Sequence, residues 1–248
     1  MTKTFYVRPL STAIGRMGKS VSLLAMLAAT PALAQYGAPA PQPMPQTREA
    51  RPSGPSDIAM VHKGAACAVS RDRRAAAALL ATRPFSKEEE REAKGLMRVA
   101  GRCVDGDLVT TSLLLRGAIA ERLYEAEFQA EPATREPAVR ALPLLPAAAG
   151  MEADVVSLTP VFALAECTAT AQPGQVRDLL AADLTSKAEG AAFGALGPTM
   201  SSCFDTGMTF NTDRQTLRGI LAESLYRWSV VQRDGAASQW AAAQVSGE

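Results

Sequence analysis

Four cysteines, one histidine and a pair of matched aspartates are the side chains through which this 248-residue chain would do chemistry. Cys67 and Cys103 lie 36 positions apart, as do Cys167 and Cys203, and the second pair follows the first by 100. A four-thiolate zinc site is normally built on close Cys-x-x-Cys pairs, which are missing, so two disulfides are expected and no metal is assigned. Phe204-Asp205-Thr206-Gly207 contains the Asp-Thr-Gly loop on which paired-carboxylate hydrolases hold their acids, and Asp105 is the counterpart of Asp205 at the same offset. The first copy reads Val104-Asp105-Gly106-Asp107, without the Thr-Gly, in a helical pattern rather than one of strands. Turn formation and helix capping therefore outrank a carboxylate pair, which is kept as an alternative. Any histidine-based zinc site or triad has to pass through His62, and no nucleophile motif accompanies it. Asp105, Asp107, Asp205, Asn211 and Asp213 lack the loop spacing of an EF-hand. Phosphate-loop and dinucleotide fingerprints are missing too, so no cofactor is expected.

The cysteine spacing belongs to a duplication. At the offset of 100, Leu79-Leu80-Ala81 meets Leu179-Leu180-Ala181, Ser86-Lys87 meets Ser186-Lys187, and Glu89 meets Glu189. Past Asp205 the offset becomes 102. Residues 115–124, Leu-Arg-Gly-Ala-Ile-Ala-Glu-Arg-Leu-Tyr, then meet residues 217–226, Leu-Arg-Gly-Ile-Leu-Ala-Glu-Ser-Leu-Tyr. A repeat that folds by itself closes its own bridge, which selects Cys67 with Cys103 and Cys167 with Cys203 from three connectivities. Each unit has about 75 residues, so its core is marginal. A bridge over such a loop contributes about 4 kcal/mol in the chain-entropy model.

Within each unit the pattern is helical, which makes the fold class all-α: two tandem units of about four helices, each closed by one disulfide. Residues 58–70 form a first helix carrying Cys67, and Asp72 caps a second over 73–81. Ser86-Lys87-Glu88-Glu89 is a capping box that opens a third helix running to about Gly101. The second unit matches with 159–171, a helix from Pro173 to near Ala182, and the box Ser186-Lys187-Ala188-Glu189. Gly190, Gly194, Gly197 and Pro198 predict a third helix there that is short or broken near Gly197. Thr212-Asp213-Arg214-Gln215 reads as another capping box, before the fourth helix.

On a helical wheel Leu115, Ile119 and Leu123 span one face of the repeated stretch, while Gly117, Ala120 and Tyr124 fall nearly opposite. A helix apolar on two sides is a central one. Gly117 and Gly219 admit a close backbone approach. Arg116 and Arg218 are then buried and need carboxylates or carbonyls. The expected pairs lie within each unit: Arg116 with Glu89 or Asp105, and Arg218 with Glu189 or Asp205. Tyr124, Tyr226 and Trp228 are expected in the core rather than in a binding groove.

Residues 1–34 read as a secretory signal. Lys3, Arg8, Arg16 and Lys19 precede a short apolar run at 21–29, and Ala32-Leu33-Ala34 supplies the cleavage site after Ala34. The run is about half of the roughly 20 residues that cross a bilayer, so no stable transmembrane anchor is expected after cleavage. The leader carries four of the 26 Lys and Arg and none of the 25 Asp and Glu, which leaves 22 against 25, a net charge of −3. A mildly acidic chain without a dense basic cluster points away from nucleic acid. Residues 35–57, rich in Pro and Gly, read as a disordered linker before unit 1 at 58–131. A Pro-interrupted connector at 132–156 leads to unit 2 at 157–232, and 233–248 reads as a flexible tail.

With the Cys-x35-Cys spacing, the Ser-Lys-x-Glu starts and the Leu-Arg-Gly-x-x-Ala-Glu-x-Leu-Tyr helix, residues 58–232 resemble uncharacterised Ala-rich exported proteins of high-GC Gram-negative bacteria. The second unit fits better, because Glu125 stands where the second unit has Arg227. The resemblance implies a periplasmic or secreted location and a repeat, and carries over no catalytic residue. The expected function is a non-enzymatic module that binds another exported protein or an envelope component through the groove between the units. The alternatives are a hydrolase using Asp105 and Asp205, and a periplasmic stress or assembly factor.

Overall fold

The computed structural model describes residues 54–128, 143–144, 153–204 and 212–240. The leader with Ala34, linker residues 35–53, most of the connector, Asp205, Asn211 and residues 241–248 lie outside them. Among the described residues the regular elements are all helical. The first half holds α1 Pro55–Arg71, α2 Arg73–Ala81, α3 Lys87–Gly101 and α4 Ser112–Glu127. The second holds α5 Ala153–Ala171, α6 Pro173–Ala181, α7 Lys187–Ser202 and α8 Arg214–Asp234, followed by a 3-10 turn at Gly235–Ala237. The bridges close as the duplication requires, with Cα–Cα distances of 6.2 Å for Cys67–Cys103 and 5.8 Å for Cys167–Cys203. Each ties the first helix of its half to the end of the third.

Most starts follow the local chemistry. Asp72 accepts the Ala75 amide at 2.9 Å, and Ser86 and Ser186 each accept the amide three residues on at 3.1 Å. The boxes close differently from expectation. Glu89 and Glu189 turn back past the serines to the amides of Phe85 and Thr185. Those two residues adopt φ of 63° and 59°, a left-handed conformation in both halves that presents the amide to the carboxylate. The fourth-helix box is also shifted. Asp213, not Thr212, caps α8, accepting from the Thr216 amide at 2.9 Å, and Thr111 caps α4 at the matching position.

Four further boundaries differ from the sequence reading. Helix α5 begins at Ala153, inside the segment read as connector and six residues before the expected start at 159, and runs on through Pro160. Helix α1 takes in Pro55 and Asp57 from the linker's end, because Pro at the first helical position gives up an amide that would have no partner anyway. Helix α7 runs unbroken through Pro198. Leu196 is buried, Ser186 caps the start, and the Gly194 carbonyl freed by the proline belongs to an exposed residue that water can reach. The start of the tail docks. Trp240 is buried, 5.6 Å from the Tyr226 ring, with the Arg227 guanidinium 5.6 Å from its centroid. Glu127 on α4 anchors the same end, accepting from Arg233 at 2.9 Å and from the Tyr226 hydroxyl at 3.1 Å.

Helices α4 and α8 form the centre and make the most extensive helix–helix contact. Both are buried on nearly all sides, as the two-faced wheel predicts. They cross glycine over glycine. A Cβ on Gly117 would stand 2.4 Å from the Gly219 Cα, and one on Gly219 3.0 Å from the Gly117 Cα, so only glycine at both positions permits this approach. The remaining helices pack around this crossing, α1 and α2 against α4, α5 and α6 against α8. Tyr124 and Tyr226 are core residues, and Trp228 packs half-buried against it.

Candidate functional site

The chain's most charged interior lies on either side of the glycine crossing. Position 116 matches 218, and 121 matches 223, so a local twofold relation between α4 and α8 puts the arginine of each half opposite the glutamate of the other. Arg116, fully buried, donates Nε to Glu223 at 2.6 Å and Nη2 to the same carboxylate at 2.5 Å. Arg218 donates Nε to Glu121 at 3.0 Å and Nη2 at 2.8 Å. Both are bidentate, the geometry that a planar guanidinium forms best with a carboxylate.

Each arginine has a second function within its own half. Arg116 donates to the carbonyls of Leu79, Leu80 and Thr82, the end of α2. Arg218 donates to those of Leu180 and Ala182, the end of α6. A cation at the last carbonyls of a helix satisfies acceptors that have no intrahelical donor and opposes the negative end of the dipole. Glu189 completes the second cluster at 2.9 Å from Arg218, while Glu89 stands farther from Arg116, at 3.6 Å.

The within-unit partners Glu89 and Glu189 are thus where the sequence placed them, but as the smaller part of each cluster. Asp105 is not a partner. It lies exposed in the turn after α3, 3.5 Å from the Lys63 ammonium, and Asp205 lies outside the described residues. Glu121 and Glu223 were the residues missed. They stand five positions after the arginines on the same helix, too far round to pair with them locally. A glutamate repeated in an otherwise apolar two-faced helix was the available signal for a partner on another element.

Burial presses against the charge of Arg116, and Glu223 and then Glu89 outweigh it, so its pKa ends above the ordinary value. Arg218 follows the same course with Glu121 and Glu189. Glu89 is pushed up by its own burial, with Arg116 opposing. These groups are acceptors and donors to one another and make the junction of the halves.

No protein-family model, curated protein or solved structure matches the chain. Among the described residues no cluster of His, Cys, Asp and Glu has the arrangement of a metal site, and no helix is long and apolar enough to cross a membrane.

One open feature does lie between the halves. A cleft of about 280 Å³ runs between the starts of α4 and α8 and is lined by Thr111, Leu113, Leu114, Leu158, Asp213 and Thr216. Its lining mixes leucine side chains with threonine hydroxyls and the Asp213 carboxylate. The outer faces of the two halves also differ. Exposed Lys63, Arg91, Lys94, Arg98 and Arg102 correspond, at the offset of 100, to exposed Ala163, Ala191, Gly194, Pro198 and Ser202.

Proposed function

We propose that the protein is a non-enzymatic interaction module of the bacterial cell envelope, exported to the periplasm or beyond, that holds a segment of another exported protein in the cleft between its halves. The observation that carries this reading is the cleft itself, lined by leucine side chains together with threonine hydroxyls and the Asp213 carboxylate, which suits an apolar side chain and the backbone polar groups beside it. Two bridged cysteine pairs agree with an oxidising compartment. The arginine and glutamate clusters are directed inward, to each other and to helix ends. A hydrolase on Asp105 and Asp205 gains no support from Asp105, which is exposed beside Lys63.

The test is photo-crosslinking in cells from Leu113 or Leu158, with Arg91 on the outer face of α3 as the control position. The expected result is a discrete adduct to an exported protein from the cleft positions and none from position 91. Equal or absent crosslinking at all three positions rejects the cleft as the binding site.

A further inference from the structure

His62 is a buried ionisable group that stands beside one of the two ion clusters without belonging to it. It lies on α1, 9% exposed, with Nδ1 4.0 Å from Glu121 Oε1 and no hydrogen-bond partner for that nitrogen among the described residues. The oxygen it faces is already taken, because Arg218 donates Nη2 to Glu121 Oε1 at 2.8 Å. At the matching position of the second half stands Phe162, buried, with its ring 6.2 Å from that of Phe85. Only one of the two reciprocal clusters therefore has a titratable ring beside it.

The surroundings give an imidazolium little to gain. A cavity of about 10 Å³ beside His62 is bordered by Ile58, Leu114, Gln215 and Gly219, the volume of about one water molecule. Gln215 Oε1 is a second buried acceptor without a partner there. The charges around His62 are Glu121 and Arg122 on α4, Arg218 on α8 and Glu189 on α7. Helices α2 and α3 also pack on α1, with Arg73, Arg74, Lys94 and Arg98 exposed to solvent. Burial is the largest influence and disfavours the charged ring; Glu121 opposes it, and Arg218 and Arg122 reinforce it. The folded protein holds this proton more weakly than a free imidazole, whose pKa is 6.5.

We propose that His62 is an acid-sensitive catch on the junction between the halves: a charged ring there competes with Arg218 for Glu121 and loosens that cluster, while the Arg116 cluster stays closed. The unfolded chain binds the proton more tightly than the fold does. Stability is then complete above pH 6.5 and declines as pH falls through the lower folded value. The cavity lies one side chain from the cleft, since Leu114 borders both. The inference stands whether or not the cleft holds a partner.

His62 is the sole histidine of the sequence, so its ring proton can be followed alone by NMR. The expected titration midpoint lies below 6.5, and a midpoint at or above 6.5 overturns the proposal. Thermal melts from pH 7.5 to 4.5 should show a loss that His62→Phe, which copies Phe162, largely removes, amounting to roughly 3–5 °C for each tenfold weakening of proton binding. An unchanged loss in that variant also overturns it. His62→Gln, neutral and polar, repeats the comparison should Phe fit poorly, and if neither variant folds, the titration of the unmodified protein decides. Hydrogen exchange, corrected for the intrinsic effect of pH, locates the change. Protection should fall on acidification in residues 179–190, around Arg218, and persist in residues 79–90, around Arg116. Equal loss in both segments would mean general acid unfolding and reject the catch.

Discussion

A buried guanidinium is only as stable as the acceptors that replace its water, and Arg116 and Arg218 have replaced nearly all of it. Each combines a bidentate carboxylate from the other half with carbonyls at a helix end of its own. Removing a single acceptor leaves the cation buried and underpaid. Glu223→Ala is expected to lower stability by about 3–5 kcal/mol, measured by urea unfolding, because the loss includes the penalty of an uncompensated charge. Lys63→Ala, at an exposed pair, should leave the midpoint unchanged. At this scale the arginines' need for partners was legible in the sequence, since the wheel put them between two apolar faces. Their main partners were not, because a periodicity describes one helix and says nothing of what lies across from it.

Among the elements, α4 and α8 are distinguished by how closely they approach, and the glycines at the crossing are what allow it. Gly117→Ala places a methyl group against backbone rather than against a side chain that can swing away. The helices must separate, and both bidentate pairs lengthen with them. The expected loss is about 1–3 kcal/mol from overpacking alone, and more as the ion pairs stretch, read from the thermal midpoint and unfolding enthalpy. Gly194→Ala on α7 meets open space at an exposed helical position, and should raise stability by about 0.5–1 kcal/mol. The two substitutions are the same in chemistry and opposite in sign. The sequence marked Gly117 and Gly219 as points of approach but not that each approaches the other. It also overstated the weakness of α7, where capping and the burial of Leu196 outweigh glycine and proline propensity.

At the scale of the molecule the reciprocal pairs make the halves one cooperative body. Replacing Cys67 and Cys103 together by serine opens a loop of 36 residues and should cost about 4 kcal/mol. Because the junction is shared, calorimetry should still show one transition at a lower midpoint, rather than early melting of the first half alone. The local twofold relation yields a stronger expectation. A chain of residues 54–128 alone leaves the apolar face of α4 and Arg116 without their partners, yet it contains Glu121, the matched residue of Glu223. Two such chains can rebuild the crossing with Gly117 over Gly117 and Arg116 to Glu121 in both directions, as an isologous interface requires. Sedimentation should find a dimer, and Glu121→Ala should abolish it.

The sequence alone settled the order of the helices, the caps at Asp72, Ser86 and Ser186, the pairing of the cysteines and the burial of the repeated stretch. These follow from spacing along one chain: 36 residues between thiols, 3.6 residues per turn, and one word written twice. The tertiary structure alone decided which half each glutamate serves, that His62 stands beside one cluster while Phe162 occupies its place at the other, and that Trp240 returns to the core. Those outcomes depend on distances between residues about 100 positions apart, and only packing brings such residues together.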